Sequence, residues 1–240
     1  MKVYVDGENF IHSLSDVLRK HGKIKTRSDI KAFDLMGLCR EALGTREPEI
    51  LYYTTKLREA EEDTHGKDVA DKSKEIIAWV SGWNTMLMEQ GVEVVRAGHL
   101  KIREAFPCPQ CGHVRSVFQE KGVDVRLAVD LVLEAEAAAE GVNMAIFSSD
   151  SDLIPAVHAV KAKGVRVKNL APEHLLNLGL ARTCGEWQII SDQQFLKYYK
   201  RGQKALKEAE GEVEADAASA KPESPLEVIQ SEKEAYGDEA

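Results

Sequence analysis

The sequence predicts an α/β protein whose mostly parallel sheet is covered on both faces by helices. Three observations predict it. Short apolar runs of strand character alternate with longer stretches whose apolar residues recur at helical spacing. The first and fourth of those runs end in Asp-containing turns, at 6–7 and at 148–152. From about Ala205 the apolar pattern gives way to Glu, Ala, Ser, Pro and Lys. Strands alternating with helices imply right-handed crossovers, and ligands in such sheets bind beyond the carboxyl ends of the strands.

The elements follow in order. Lys2–Val5 is a strand leaving through Asp6-Gly7, and Asn9–Lys20 is a helix carrying Phe10, Ile11, Leu14, Val17 and Leu18 on one face. Phe33–Leu43 reads as a second helix closed near Gly44, and Glu49–Thr54 as a second strand. A polar loop, 56–67, precedes a long helix over Val69–Gln90, and Val92–Ala97 is a third strand. Residues 98–120 break the alternation and read as an insertion or hairpin. Asp124 stands where a helix N-cap belongs, ahead of Leu127, Ala128, Leu131, Val132 and Ala135. Val142–Phe147 is a fourth strand, Leu153–Lys163 a helix, Val165–Leu170 a fifth strand, Pro172–Leu180 a short helix and Trp187–Ile190 a last strand.

Charge divides unevenly along the 240 residues. The tail from Ala205 holds eleven acids and three bases of the chain's 40 and 32, which leaves residues 1–204 neutral at 29 of each. The net charge of -8 therefore says nothing against a basic groove in the body, since local patches steer a polyanion. We expect a folded domain over 1–204 and a disordered acidic tail over 205–240. Four cysteines, a first strand directly after Met1, and no apolar run of the length a bilayer requires predict a cytoplasmic protein outside the membrane.

The chemistry lies in three aspartate segments: Val-Tyr-Val-Asp-Gly-Glu-Asn at 3–9, Lys-Gly-Val-Asp-Val-Arg-Leu-Ala-Val-Asp at 121–130 and Phe-Ser-Ser-Asp-Ser-Asp-Leu at 147–153. Taken singly, Asp6 and Asp150 are turn residues at strand ends and Asp124 a cap. Taken together they can converge on Mg²⁺ or Mn²⁺, which prefer carboxylate oxygens. Asp6, Asp124 and Asp150 form the first set, with Asp130 and Asp152 behind them. Asp130 lies about 120° round a helix from Asp124, so both face one ion only if Asp124 is a cap. Asn9 can hold a carboxylate in place or bind substrate through its amide, Ser148 or Ser149 can hydrogen-bond a phosphate, and Lys121 and Arg126 bracket Asp124 as phosphate ligands.

These three motifs, in this order over about residues 1–200, resemble the NYN family of the PIN-like nuclease superfamily, which includes bacterial LabA-type proteins. The resemblance implies a three-layer α/β/α sandwich, metal-dependent ribonuclease chemistry and RNA as partner. By motif, Asp6 and Asn9 match the first segment, Asp124 and Asp130 the second, Asp150 and Asp152 the third. Ser149 stands where the family often has Gly and Leu153 where it often has an aromatic; neither change removes a candidate ligand. A second reading is a non-catalytic regulator of the same fold that binds RNA or protein. A phosphotransferase of the Asp-x-Asp type lacks its second Asp, because position 8 is Glu.

Other features carry less. Cys108 and Cys111 are half of a zinc ribbon, which His99 and His113 can complete as a Zn²⁺ site; a reduced turn or a redox-labile pair are the competing readings. Trp79 and Trp83 fit core packing, while Tyr198 and Tyr199 beside Lys197, Lys200 and Arg201 are candidates for base stacking. The acidic tail suits a protein partner or competition with RNA for the groove, and self-association is open.

Overall fold

The computed structural model describes residues 1–104, 109–112, 116–138 and 142–219. Among these the strands are β1 (Lys2–Asp6), β2 (Glu49–Thr55), β3 (Glu93–Ala97), β4 (His99–Glu104), β5 (Ser116–Lys121), β6 (Asn143–Phe147), β7 (Arg166–Pro172) and β8 (Gly185–Ile190). The α-helices are α1 (Gly7–Lys20), α2 (Leu35–Leu43), α3 (Glu62–His65), α4 (Lys67–Glu89), α5 (Val123–Ala137), α6 (Ile154–Ala162), α7 (Leu178–Cys184) and α8 (Asp192–Ser219). Six strands make one parallel sheet in the order β3-β2-β1-β6-β7-β8, and β4 and β5 form a separate antiparallel ribbon.

That order has one reversal, between β1 and β6. The chain steps outward from β1 to β2 and β3, then returns to the other side of β1 with β6. Connections leaving β1 and β6 therefore diverge, and a crevice opens above their carboxyl ends. Val5 pairs with Phe147, which puts Asp6 and Ser148 side by side at its floor.

Alternation along each strand builds two cores, because successive side chains point to opposite faces. Val3, Val5, Ile50, Tyr52, Ala145 and Phe147 join one core with residues of α1, α2, α4 and α8. Tyr4, Tyr53, Met144, Ile146 and Val167 join the other with α5, α6 and α7. Phe10 centres the first, its ring edge-on to Phe147 at 5.1 Å and to Phe33 at 5.4 Å. Trp83 lies in this core and Trp79 packs partly buried against it, as expected, with their ring centroids 5.9 Å apart.

Several boundaries differ from the sequence reading. Gly122, not Asp124, is the N-cap of α5, so Asp124 lies within the first turn. Pro172 ends β7 rather than opening a helix; as the last strand residue it forfeits no interior ladder donor. The loop at 56–67 contains α3.

The chain divides into a compact unit, Met1–Gly202, and a second, Gln203–Ala240. Within the second, the segment expected to be disordered from Ala205 is helical as far as Ser219. A composition too polar for a core can still be rich in helix formers, and Lys204 pairs with Glu208 one turn away at 3.4 Å. Residues 220–240 lie outside the described residues. Among the described residues no helix is long and apolar enough to cross a membrane.

Candidate metal centre at the carboxyl edge of the sheet

Asp6 ends β1 and caps α1. Its Oδ1 accepts the Asn9 N–H at 3.1 Å, which satisfies one of the orphan donors of the first turn. Gly7 follows because nothing larger fits: a Cβ there would fall 2.3 Å from the Tyr53 carbonyl oxygen and 2.8 Å from the Tyr52 ring. The helix thus starts hard against the end of β2.

The turn after β6 is held from all sides. Ser148 is fully buried and donates its hydroxyl to Asp6 Oδ2 at 3.0 Å, while Ser148 Oγ accepts the Asp150 N–H at 3.1 Å. Asn9 Oδ1 accepts the Ser149 N–H at 3.1 Å. From the next strand, Asn169 Nδ2 donates to the Ser148 carbonyl at 2.9 Å, and Asn177, the cap of α7, donates to the Ser149 carbonyl at 3.2 Å. Asp150 then caps the 3₁₀ turn Ser151–Leu153 by accepting the Asp152 N–H at 2.9 Å.

This fixes Asp150 and Asp152 opposite the first turn of α5. Oxygens of Asp124, Asp150 and Asp152 all lie within 4.8 Å of one another, and this is the group of potential metal ligands found among the described residues. Asp124 and Asp150 are half-buried and Asp152 is exposed. Three like charges this close repel unless a cation or protons relieve them. A set of carboxylates open to water suits Mg²⁺ or Mn²⁺, which take hard oxygen ligands and keep waters in their shell. The residues present fit such an ion.

The two remaining acids take other places. Asp6 lies outside the 4.8 Å group and joins it through Ser148. Burial pushes its carboxyl up to about 6, against the hydrogen bonds from Asn9 and Ser148, with the charges of Asp150 and Glu8 adding to the rise. Glu8 beside it is forked by Arg27, with both hydrogen bonds at 2.7 Å. Asp130 does not join the cluster. Tyr53 donates its hydroxyl to Asp130 at 3.0 Å and Arg126 Nε lies 2.8 Å from both of its oxygens. The reason is the cap: with Asp124 inside the helix, the six-residue step turns Asp130 about 120° away.

The predicted substrate residues divide in the same manner. Arg126 is engaged by Asp130, and Ser148 and Asn9 work as braces. Ser149 Oγ is buried without a partner, and Lys121 is exposed with no ion pair among the described residues. Tyr198 is buried and donates to Glu41 at 2.7 Å, which removes it as a stacking surface; Tyr199 is only partly buried against the core. Of the zinc set, Cys108 and His113 lie outside the described residues; Cys111 and His99 are exposed. Sequence reasoning missed Asn169 and Asn177. An Asn between Val167 and Leu170 on an apolar strand was the available signal for the first, and an Asn three residues before Leu180 that for the second.

Known proteins bear on the family. No curated protein matches the sequence. A protein of unknown function from Vibrio parahaemolyticus is similar in structure at TM-score 0.48 and 13% identity, over 79% of this chain and 91% of that one. A phosphofructokinase-2 variant from Escherichia coli reaches TM-score 0.31 at 10% identity, over 58% of this chain and 42% of its own. Both fall below the level that establishes a common fold. The NYN domain model matches residues 1–189, the span that contains all but the last residue of the parallel sheet, the crevice at its reversal and all three aspartate segments. With a six-stranded parallel sheet between helical layers and that match across most of its length, the chain belongs to the NYN domain family of the PIN-like nuclease superfamily.

Proposed function

We propose that this protein is a ribonuclease that hydrolyses RNA phosphodiester bonds with a divalent cation, Mg²⁺ or Mn²⁺, held by Asp124, Asp150 and Asp152. The carrying observation is the convergence of those three carboxylates within 4.8 Å at the water-exposed rim of the crevice. Three carboxylates gathered this closely offer a hard cation a ready site, which a regulator that only binds RNA does not need. A bound divalent ion would supply charge neutralisation at the phosphoryl group and lower the pKa of a bound water.

The chain's own groups do the positioning. Asp6 orients Ser148, and Ser148 orients the peptide of Asp150, so the β1 end sets the height of the ligand turn. Asn9, Asn169 and Asn177 fix the peptides on either side. Ser149 Oγ is buried beside this turn with no hydrogen-bond partner among the described residues, so a phosphate reaches it only if the Ser149 side chain turns outward. Asp130 steadies α5 against Tyr53 and has no direct part in ligation. Cys39 and Cys184 are free and buried and Cys111 is free and exposed, in keeping with a cytoplasmic setting.

Cleavage of a labelled RNA by purified protein with Mn²⁺ tests the reading. EDTA should abolish the reaction, and Asp124→Asn and Asp150→Asn should each lose it while unfolding as the parent does. If both variants cut at the parent's rate, the metal-ribonuclease reading is wrong.

A further inference from the structure

The β4–β5 ribbon interrupts the α/β alternation and carries two unlike faces. In its antiparallel register His99 pairs with Lys121, Lys101 with Gln119 and Arg103 with Val117, while Leu100 pairs with Glu120 and Ile102 with Phe118. Side chains alternate across a ribbon and cross-strand partners share a face. One face therefore holds His99, Lys101, Arg103 and Lys121; the other holds Leu100, Ile102, Phe118 and Glu120.

The second face is turned inward. Lys72 of α4 lies 5.7 Å over the Phe118 ring, and Glu120 is half-buried, with burial and then the charge of Glu8 pushing its carboxyl up to about 7. Hence the first face is turned outward, and His99, Lys101, Arg103 and Lys121 are all exposed. None of the four has an ion pair among the described residues, although the chain has 40 acids to its 32 bases. Cations elsewhere do pair with acids, as in Lys2–Glu134, Lys20–Asp192 and Arg126–Asp130, whereas these four stand together on one face with none.

The ribbon's base is anchored at the candidate metal centre. The Leu100 N–H donates to the Lys56 carbonyl at 3.3 Å, just past the end of β2. Gly98 sits at φ 62° where a Cβ would strike the Lys121 carbonyl at 1.9 Å, so the strands close tightly there. Lys121 then leads through Gly122 into α5, whose second residue is Asp124. Alternate residues on a strand stand about 6.8 Å apart, a spacing comparable to that of consecutive phosphates on an extended strand.

We propose that this outward face is a phosphate track: His99, Lys101, Arg103 and Lys121 hold the backbone of a single nucleic-acid strand as it runs toward the Asp124–Asp150–Asp152 cluster. The proposal rests on the nuclease reading for its direction, but the track grips phosphate and can be tested without cleavage. Phosphate contacts position a strand and carry no base information, so binding through this face is indifferent to sequence and strongly dependent on salt.

The test is fluorescence anisotropy of a labelled single-stranded uridine oligomer with the full chain in EDTA, over a series of salt concentrations. In the triple variant Lys101→Gln, Arg103→Gln, Lys121→Gln the affinity at low salt should fall about tenfold or more. The slope of log affinity against log salt should drop by roughly 2, at about 0.7 for each phosphate no longer neutralised. The exposed single variants Lys101→Gln and Arg103→Gln should each show part of this, which covers any misfolding of the triple. A single-stranded DNA oligomer should lose affinity in parallel. Unchanged affinity and slope in all variants, or parent binding that ignores salt, overturns the track. Asp150→Asn separates the two readings: it should bind as the parent does and fail to cut. Should the parent bind through the ribbon yet never cut with Mn²⁺, the ribonuclease reading falls and the track stands. Cutting by a parent whose ribbon variants bind normally removes the track alone.

Discussion

The turn at 148–152 and the β4–β5 ribbon stand at the same crevice and are built in opposite ways. The turn uses a buried serine, three asparagines and a half-buried aspartate to fix a few peptides. The ribbon leaves its cations exposed, with no ion pair among the described residues. Ligating an ion demands carboxylate oxygens at fixed separations, whereas attracting a phosphate chain requires only charge at a suitable spacing. Rigidity is concentrated where geometry matters and withheld where it does not.

Four substitutions break or sharpen that contrast, in falling order of effect. Asp150→Asn removes a ligand outright and should cut Mn²⁺-dependent RNA cleavage by roughly a hundred- to a thousandfold, measured as initial rates. Ser148→Ala leaves every ligand in place but disconnects Asp6 from the Asp150 peptide. It should lower kcat by about ten- to a hundredfold, as removal of the groups that support metal ligands does, with KM nearly unchanged.

Glu120→Gln probes the ribbon's inner face through stability. Its carboxyl is raised in the fold to about 7 from an ordinary 4.5, by burial first and then by Glu8 and, more weakly, Asp6. The folded state thus holds a proton that the unfolded chain releases. That contribution is complete below pH 4.5 and disappears as pH rises through about 7. The variant should be more stable than the parent at pH 8 by on the order of 1–2 kcal/mol, with the gain shrinking toward pH 5, by urea unfolding. The smallest effect belongs to Asp130→Asn, which should keep cleavage within about twofold of the parent because Asp130 braces a helix that buried Leu127, Leu131 and Ala135 already hold. A loss as large as that of Asp150→Asn would return Asp130 to the metal centre.

Much of this is legible in the sequence, for identifiable reasons. Periodicity and the Asp-bearing strand ends locate the sheet's carboxyl edge, and Asp124, Asp150 and Asp152 follow from residue type and motif. The place of Asp130 turns on a single position: a cap at Asp124 would bring it round to the ion, and the cap at Gly122 does not. Asp6 falls on the correct edge, but its screening behind Ser148 depends on the β1–β6 register. Asn169 and Asn177 act across more than twenty residues of chain, through hydrogen bonds created only when β7 docks beside β6. Tyr198 reads as a stacking surface because its basic neighbours suggest RNA; its burial comes from α8 packing on the first core, which local sequence does not encode.

The glycine after Asp6 has a consequence for the whole crevice. Because position 7 has no room for a methyl group, the first residue of α1 rests on the Tyr53 carbonyl and the Tyr52 ring of β2. Any side chain there would lift the helix, and with it the carboxylate that steadies Ser148. Gly7 therefore works as a depth stop: one absent carbon sets how low the acidic floor lies.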